Sequence, residues 1–102
     1  MMMAPDSSHT PPSRLDEATV AAVRDALRAF LADDADSSAL QRALLRLSTE
    51  ARSTGMLPEQ LLVLLKDTWS ALPDVRAMTD TAEQVRLLQR VVTMCITEYY
   101  RG

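Results

Sequence analysis

Apolar positions recur along this chain at steps of three and four residues, and four separate stretches carry that spacing. In the first, Val20, Val23, Leu27 and Phe30, with Leu31 beside them, form one stripe opposite Glu17, Arg24, Asp25 and Arg28. That period matches the 3.6-residue turn of an α-helix and predicts a helix from about Arg14 to Ala32. Ser13 is placed to cap it, with Asp16 three residues on as its capping-box partner. The run Asp33-Asp34-Ala35-Asp36 ends the pattern, because aspartate competes for helical hydrogen bonds and adds negative charge at a helix C-terminus.

A second helix is predicted from Ala39 to Ser53, capped by Ser37 or Ser38. Its seam is narrow (Leu40, Leu44, Leu47 and Ala51), and Leu45 falls outside it. Gly55 stands where a left-handed residue closes a helix. Pro58 suits the first position of a third helix, which ends near Leu72 because Pro73 disfavours helical geometry in the residue before it. Leu61, Leu64, Leu65, Trp69 and Leu72 share its apolar face, Leu62 widens that face, and Val63 lies among polar residues. Residues 73–80 read as a connection over which Val75 and Met78 pack as a lid.

The fourth helix is the longest, running from Asp80 or Thr81 to about Tyr100. Two capping boxes mark its start, Asp80 with Glu83 and Thr81 with Gln84. Val85, Leu88, Val92, Cys95 and Tyr99 keep an unbroken three-four spacing and predict its core seam. Its polar stripe is only Arg86, Arg90, Thr93, Thr97 and Arg101. Leu87, Val91 and Met94 then form a second apolar ridge, on the flank away from Ile96 and Tyr100. An apolar arc this wide implies burial from two sides. Either the helix touches two neighbours within its own chain, or the second ridge meets another protein.

No strand-period alternation or internal repeat competes with this pattern. The expectation is an all-α fold, a small four-helix bundle of up-down topology with antiparallel neighbours over residues 14–102, behind a disordered tail at 1–13. The tail, rich in Pro and Ser, buries too little surface to offset its ordering entropy.

Composition narrows the chemistry. The chain has 102 residues, enough for one domain, and carries a formal charge of −3. Cys95 is the only cysteine and His9, in the tail, the only histidine, so neither a disulfide nor a Cys/His metal site is expected. Gly55 and Gly102 are the only glycines, which leaves no phosphate loop. Without a helical histidine or a nucleophile–base pair the chain is expected not to be an enzyme and to need no cofactor. Asp16-Glu17 and Asp33-Asp34 read as solvated helix ends. Cys95, on the predicted seam, reads as a buried inert thiol in preference to a redox switch. No segment resembles a secretory signal or a membrane span, so a cytoplasmic location is expected. The three arginines on the polar stripe of the fourth helix raise a membrane-surface reading, which burial in a bundle accounts for better.

The reading that results is a small protein–protein interaction or regulatory adaptor domain, self-associating as a homodimer through its third and fourth helices. Its expected interface residues are Leu87, Val91, Met94, Trp69 and Tyr100, where methionine and aromatic side chains would serve as anchors. The alternative is a helix-turn-helix DNA binder over residues 46–66, with Ala51, Gly55, Leu61 and Leu64 at the motif's small, turn and apolar positions. The would-be recognition helix, PEQLLVLLKD, offers Lys66 and Gln60 against Glu59 and Asp67. Those residues and the negative net charge make nucleic acid an unlikely partner, and no small-molecule substrate is evident.

Overall fold

The first helix begins with Asp16. In a computed structural model that describes residues 15–101, α1 spans Glu17–Ala32, and the Asp16 carboxylate accepts a hydrogen bond from the Ala18 N–H at 2.9 Å. A short acidic side chain satisfies a free first-turn donor and meets the positive end of the helix dipole. Asp16 is thus the cap itself and not a capping-box partner. Ser13, His9 and the tail expected at 1–13 lie outside the described residues.

The acidic link behaves as its composition dictates. Asp33 turns to extended geometry after α1, and the Asp36 carboxylate accepts from the Ser38 N–H at 3.1 Å. This starts α2, Ser38–Ser53, while Ser37 sits at the cap position without a side-chain hydrogen bond. The hydrogen bonds from Ser38 hold the Asp36 carboxyl below its ordinary range.

Gly55 ends α2 at φ +80, with its N–H on the Arg52 carbonyl (3.2 Å) and the Met56 N–H on Ala51 (2.8 Å). Those two bonds are the Schellman closure that a glycine permits. Pro58 opens α3, Pro58–Ala71, and the Gln60 side chain accepts from the Leu57 N–H at 2.9 Å. Leu72 is extended, as the residue before Pro73 should be. The expected connection at 73–80 contains a further one-turn helix, α4 (Pro73–Arg76), because Pro73 also presets the first helical φ. Val75 is buried and Met78 half-buried over the bundle end, as a lid. Last comes α5, Thr81–Arg101, started by the Asp80 carboxylate on the Glu83 N–H at 3.1 Å.

The fold is all-α, a bundle of four long helices, with no strand among the described residues. Directions alternate along the chain, as short links require, and α1–α2 and α3–α5 are antiparallel pairs. The lateral arrangement differs from a simple up-down bundle. Asp34 lies by Arg90, Ser48 by Cys95, and Met56 by Tyr99, so α2 and α5 run side by side in the same direction. The link Thr54–Leu57 therefore crosses the end of the bundle, and α2 scarcely touches α3. The wall between α1 and α3 is the least closely packed of the four.

Leu27, Phe30, Leu40, Leu44, Leu47, Leu61, Leu65 and Val91 are fully buried at the centre. Each such side chain contributes roughly 1.5–3 kcal/mol of transfer free energy. Polar ties fix the helices in rotation and height. Buried Thr19 donates to Glu50, whose carboxylate also accepts from the Asp16 N–H at 3.2 Å. The Tyr99 hydroxyl donates to the Met56 carbonyl (2.8 Å) and the Gln84 amide to the Val75 carbonyl (2.9 Å), which locks α5 to both ends of α3. Arg90 lies over the Phe30 ring at 5.0 Å while reaching Asp34 at 3.2 Å.

Gly55→Ala tests the turn. An added Cβ would meet no atom within 4 Å, so the cost is conformational alone. A loss of about 1 kcal/mol is expected in urea unfolding at unchanged slope. An unchanged midpoint would show that the left-handed residue does not hold the α2–α3 turn.

Candidate functional site

The rotation of α5 decides which of its apolar residues are free. Leu87, Val91, Cys95 and Glu98 form its buried line, with Leu87 4% exposed and Val91 and Cys95 fully covered. The ridge expected to lie outside is therefore largely the core ridge. Leu87 and Val91 are covered by the chain's own helices, Met94 is half-buried, and Trp69 is 2% exposed. Of the five expected interface residues only Tyr100, 68% exposed, stands in solvent, and the structure does not bring the five together on a surface.

The surplus lies on the opposite flank. Val85 is 48% exposed, and Leu88, Val92 and Ile96 are half-buried, in a stripe that reaches solvent fully at Tyr100. These positions include most of the seam predicted for the core. Two facts misled the pattern. The true seam is interrupted by a charged residue, Glu98, and the flank against α2 carries Arg90, whose stem is partly covered over Phe30. The signal that could have found it is the run of Arg86, Gln89, Arg90 and Thr93, which is too polar for an outer edge of the core yet too close to the Leu87 line to be remote from it.

Clefts on either side show what flanks each helix. Arg86, Gln89, Arg90 and Thr93 border α2 across a cleft of about 500 Å³ that Ser37 and Gln41 also line. Val92 and Ile96 thus lie toward α3. On α3, Asp67, Thr68 and Ala71 border α1 across a cleft of about 380 Å³ lined also by Val20 and Arg24. At 100° per residue this leaves Glu59, Leu62 and Lys66 on the flank toward α5. The two end ties set the register, so that Leu62 stands about level with the point midway between Val92 and Ile96, and Lys66 about level with Val91. The joint α3–α5 face thus carries an apolar strip edged on the α3 side by Glu59 and Lys66. Leu45 (45% exposed) stands apart on α2, and Val63 (60%) on the outer side of α3.

Other candidates carry less. Ala51 and Leu61 are buried and Gly55 makes the turn, but α2 and α3 lie across the bundle from one another, not packed as a helix-turn-helix unit. Among the described residues no three His, Cys, Asp or Glu side chains converge as a metal group, and no helix is long and apolar enough to cross a membrane. Glu98 is 6% exposed; its Oε2 lies 3.7 Å from Arg101 while its Oε1 has no hydrogen-bond partner. The Arg52 Nε, one turn beyond Ser48 and so at a similar height, is also buried without one. Comparison with protein-family models, curated proteins and solved structures gives no match to this chain.

Cys95 is buried, and burial pushes its thiol up from an ordinary 9.0 to about 11, opposed only by the Ser48 hydroxyl beside it. The folded state therefore keeps a proton that the unfolded chain releases first. Stability from this group is intact below pH 9 and falls as pH rises from about 9 toward 11. Thermal melts of wild type and Cys95→Ala should diverge there, the wild type losing more. Parallel curves would mean that the thiol is not held neutral by the fold.

Proposed function

We propose that this chain is a non-enzymatic, cytoplasmic helical module that binds protein through its α3–α5 face. One observation supports the reading above the rest: a single stripe of α5 runs from Val85, 48% exposed, through half-buried Val92 and Ile96 to Tyr100, 68% exposed. Scattered apolar residues on a surface need no explanation, but a continuous stripe on a small soluble domain favours a covering partner. An exposed tyrosine at its end supplies a large, rigid anchor with a polar tip.

The shallow valley between two antiparallel helices suits a helical partner, which can lay an apolar edge against Val92 and Ile96. The surrounding charge argues against nucleic acid as that partner. The net charge is −3, and Glu59 and Asp67 oppose Lys66 on the exposed part of α3. Leu87 and Val91 have no part in the surface, because the fold itself needs them.

Immobilised wild-type chain, set against Val92→Asp and Tyr100→Asp, tests the reading. Both substitutions lie outside the buried line of α5, so helicity by circular dichroism should be retained. Proteins held by the wild type, this chain included, should be lost from both variants. Equal retention by all three would remove the α3–α5 face from consideration.

A further inference from the structure

We infer that the partner seated on the α3–α5 face is a second copy of this chain, inverted about a two-fold axis that passes beside Leu62 and between Val92 and Ile96. The inference rests on that face being the binding surface, and it adds the identity and orientation of the occupant.

The charges on α3 carry it. Glu59 and Lys66 are both exposed, and among the described residues neither has an ion-pair partner. By contrast, Arg86 and Arg101 on α5 are already matched by Glu83 (2.6 Å) and Glu98 (3.7 Å). Glu59 and Lys66 stand seven residues apart, two helical turns, and so on one flank. Leu62 lies between them on the same side. A surface with a negative group at one end, a positive group at the other and an apolar residue midway is complementary to its own inverted copy. Rotation about Leu62 places Lys66 of each chain against Glu59 of the other, so both unpaired charges are matched in one step.

The apolar strip obeys the same operator. Leu62 stands about level with the point midway between Val92 and Ile96, so the axis that pairs Leu62 with its copy pairs Val92 of each chain with Ile96 of the other. Two valine–isoleucine contacts beside the Leu62 pair leave a continuous apolar centre with ion pairs on one edge. A parallel arrangement would lay α3 of one copy over α5 of the other and leave Glu59 and Lys66 unmatched.

Size sets the strength. α3 has 14 residues, about 21 Å at 1.5 Å per residue, and two helices 8–10 Å apart give a footprint of roughly 400–500 Å² per chain. A standard stable interface uses about 800 Å² per partner. The dimer is therefore a weak one, with a Kd on the order of 10–100 μM, dissociating on dilution.

Sedimentation velocity from about 5 to 500 μM tests this, with helicity and melting temperature confirming that each variant folds. Wild type should show a reversible monomer–dimer equilibrium that weakens with added salt. Glu59→Lys and Lys66→Glu should each weaken it at least about threefold, by placing like charges face to face. An equimolar mixture of the two variants should recover a dimer at least as tight as wild type, since every cross-contact is then of opposite sign. The double variant should return to within about twofold of wild type. A wild-type chain that stays monomeric to 500 μM overturns the inference, as does a dimer indifferent to these reversals. If the α3–α5 face still captures other proteins in that event, the binding surface stands and only the second copy is withdrawn.

Discussion

Burial of the Leu87–Val91–Cys95 line between α2 and α3 is the constraint from which the rest of the molecule follows. α5 is the longest helix and packs against both α2 and α3, so its rotation sets which of its own apolar residues reach solvent. Turning it by one residue step would bring Val92 or Ile96 inward and push Leu87 out. It is held against that turn from three directions: by Tyr99 and Gln84 on the α3 side, by Arg90 on Phe30 and Asp34, and by Ser48 on the Cys95 carbonyl at 3.5 Å. Each tie is modest, about 1 kcal/mol for a neutral hydrogen bond. Together with a packed apolar line they select one rotation over its neighbours, where apolar residues alone would fit several.

The buried line is not wholly apolar, and its exception is instructive. Glu98 places a carboxylate at 6% exposure with one oxygen unpartnered, and Arg52 places a guanidinium Nε in a similar condition at about the same height. Burial of an incompletely paired charge costs stability. What it adds is directional preference: a charged residue on the buried side of the last turn, with Arg101 nearby, ends the core there and leaves Tyr99 to close the bundle edge. The same end of the bundle holds the exposed terminus of the proposed binding stripe.

Much of the fold was legible in the sequence because it is written in local rules. Gly55, Pro58 and Pro73 act on their own backbone or on the residue before them, so the turns they make need no tertiary information. The predicted ends of α2, α3 and α5 accordingly lie within a residue or so of the observed ones. Asp16 shows the limit of such rules, since Ser13 and Asp16 are both competent caps and only the packed helix distinguishes them. The parallel course of α2 and α5 was not legible, because a four-residue link reaches either an adjacent or a diagonal position. The rotation of α5 was hidden for a sharper reason. Two apolar ridges compete on that helix, and the one with the cleaner period (Val85, Leu88, Val92, Cys95, Tyr99) shares only Cys95 with the buried line. Placing Arg90 on the polar stripe and leaving Glu98 out of the core hid the one that is buried. The surplus apolar surface expected of this helix is there at Val85 and Tyr100, while Leu87 and Val91 are buried in the core.

Solvent paramagnetic relaxation of methyl groups in dilute protein measures that rotation directly. With a soluble gadolinium chelate, the account requires the Leu87 and Val91 methyls to relax slowly, as core methyls do, and those of Val85 and Ile96 to relax fast, with Val92 between. Fast relaxation at Leu87 and Val91 with protection at Val85 and Ile96 would contradict it, and would place the free surface of α5 on its other side.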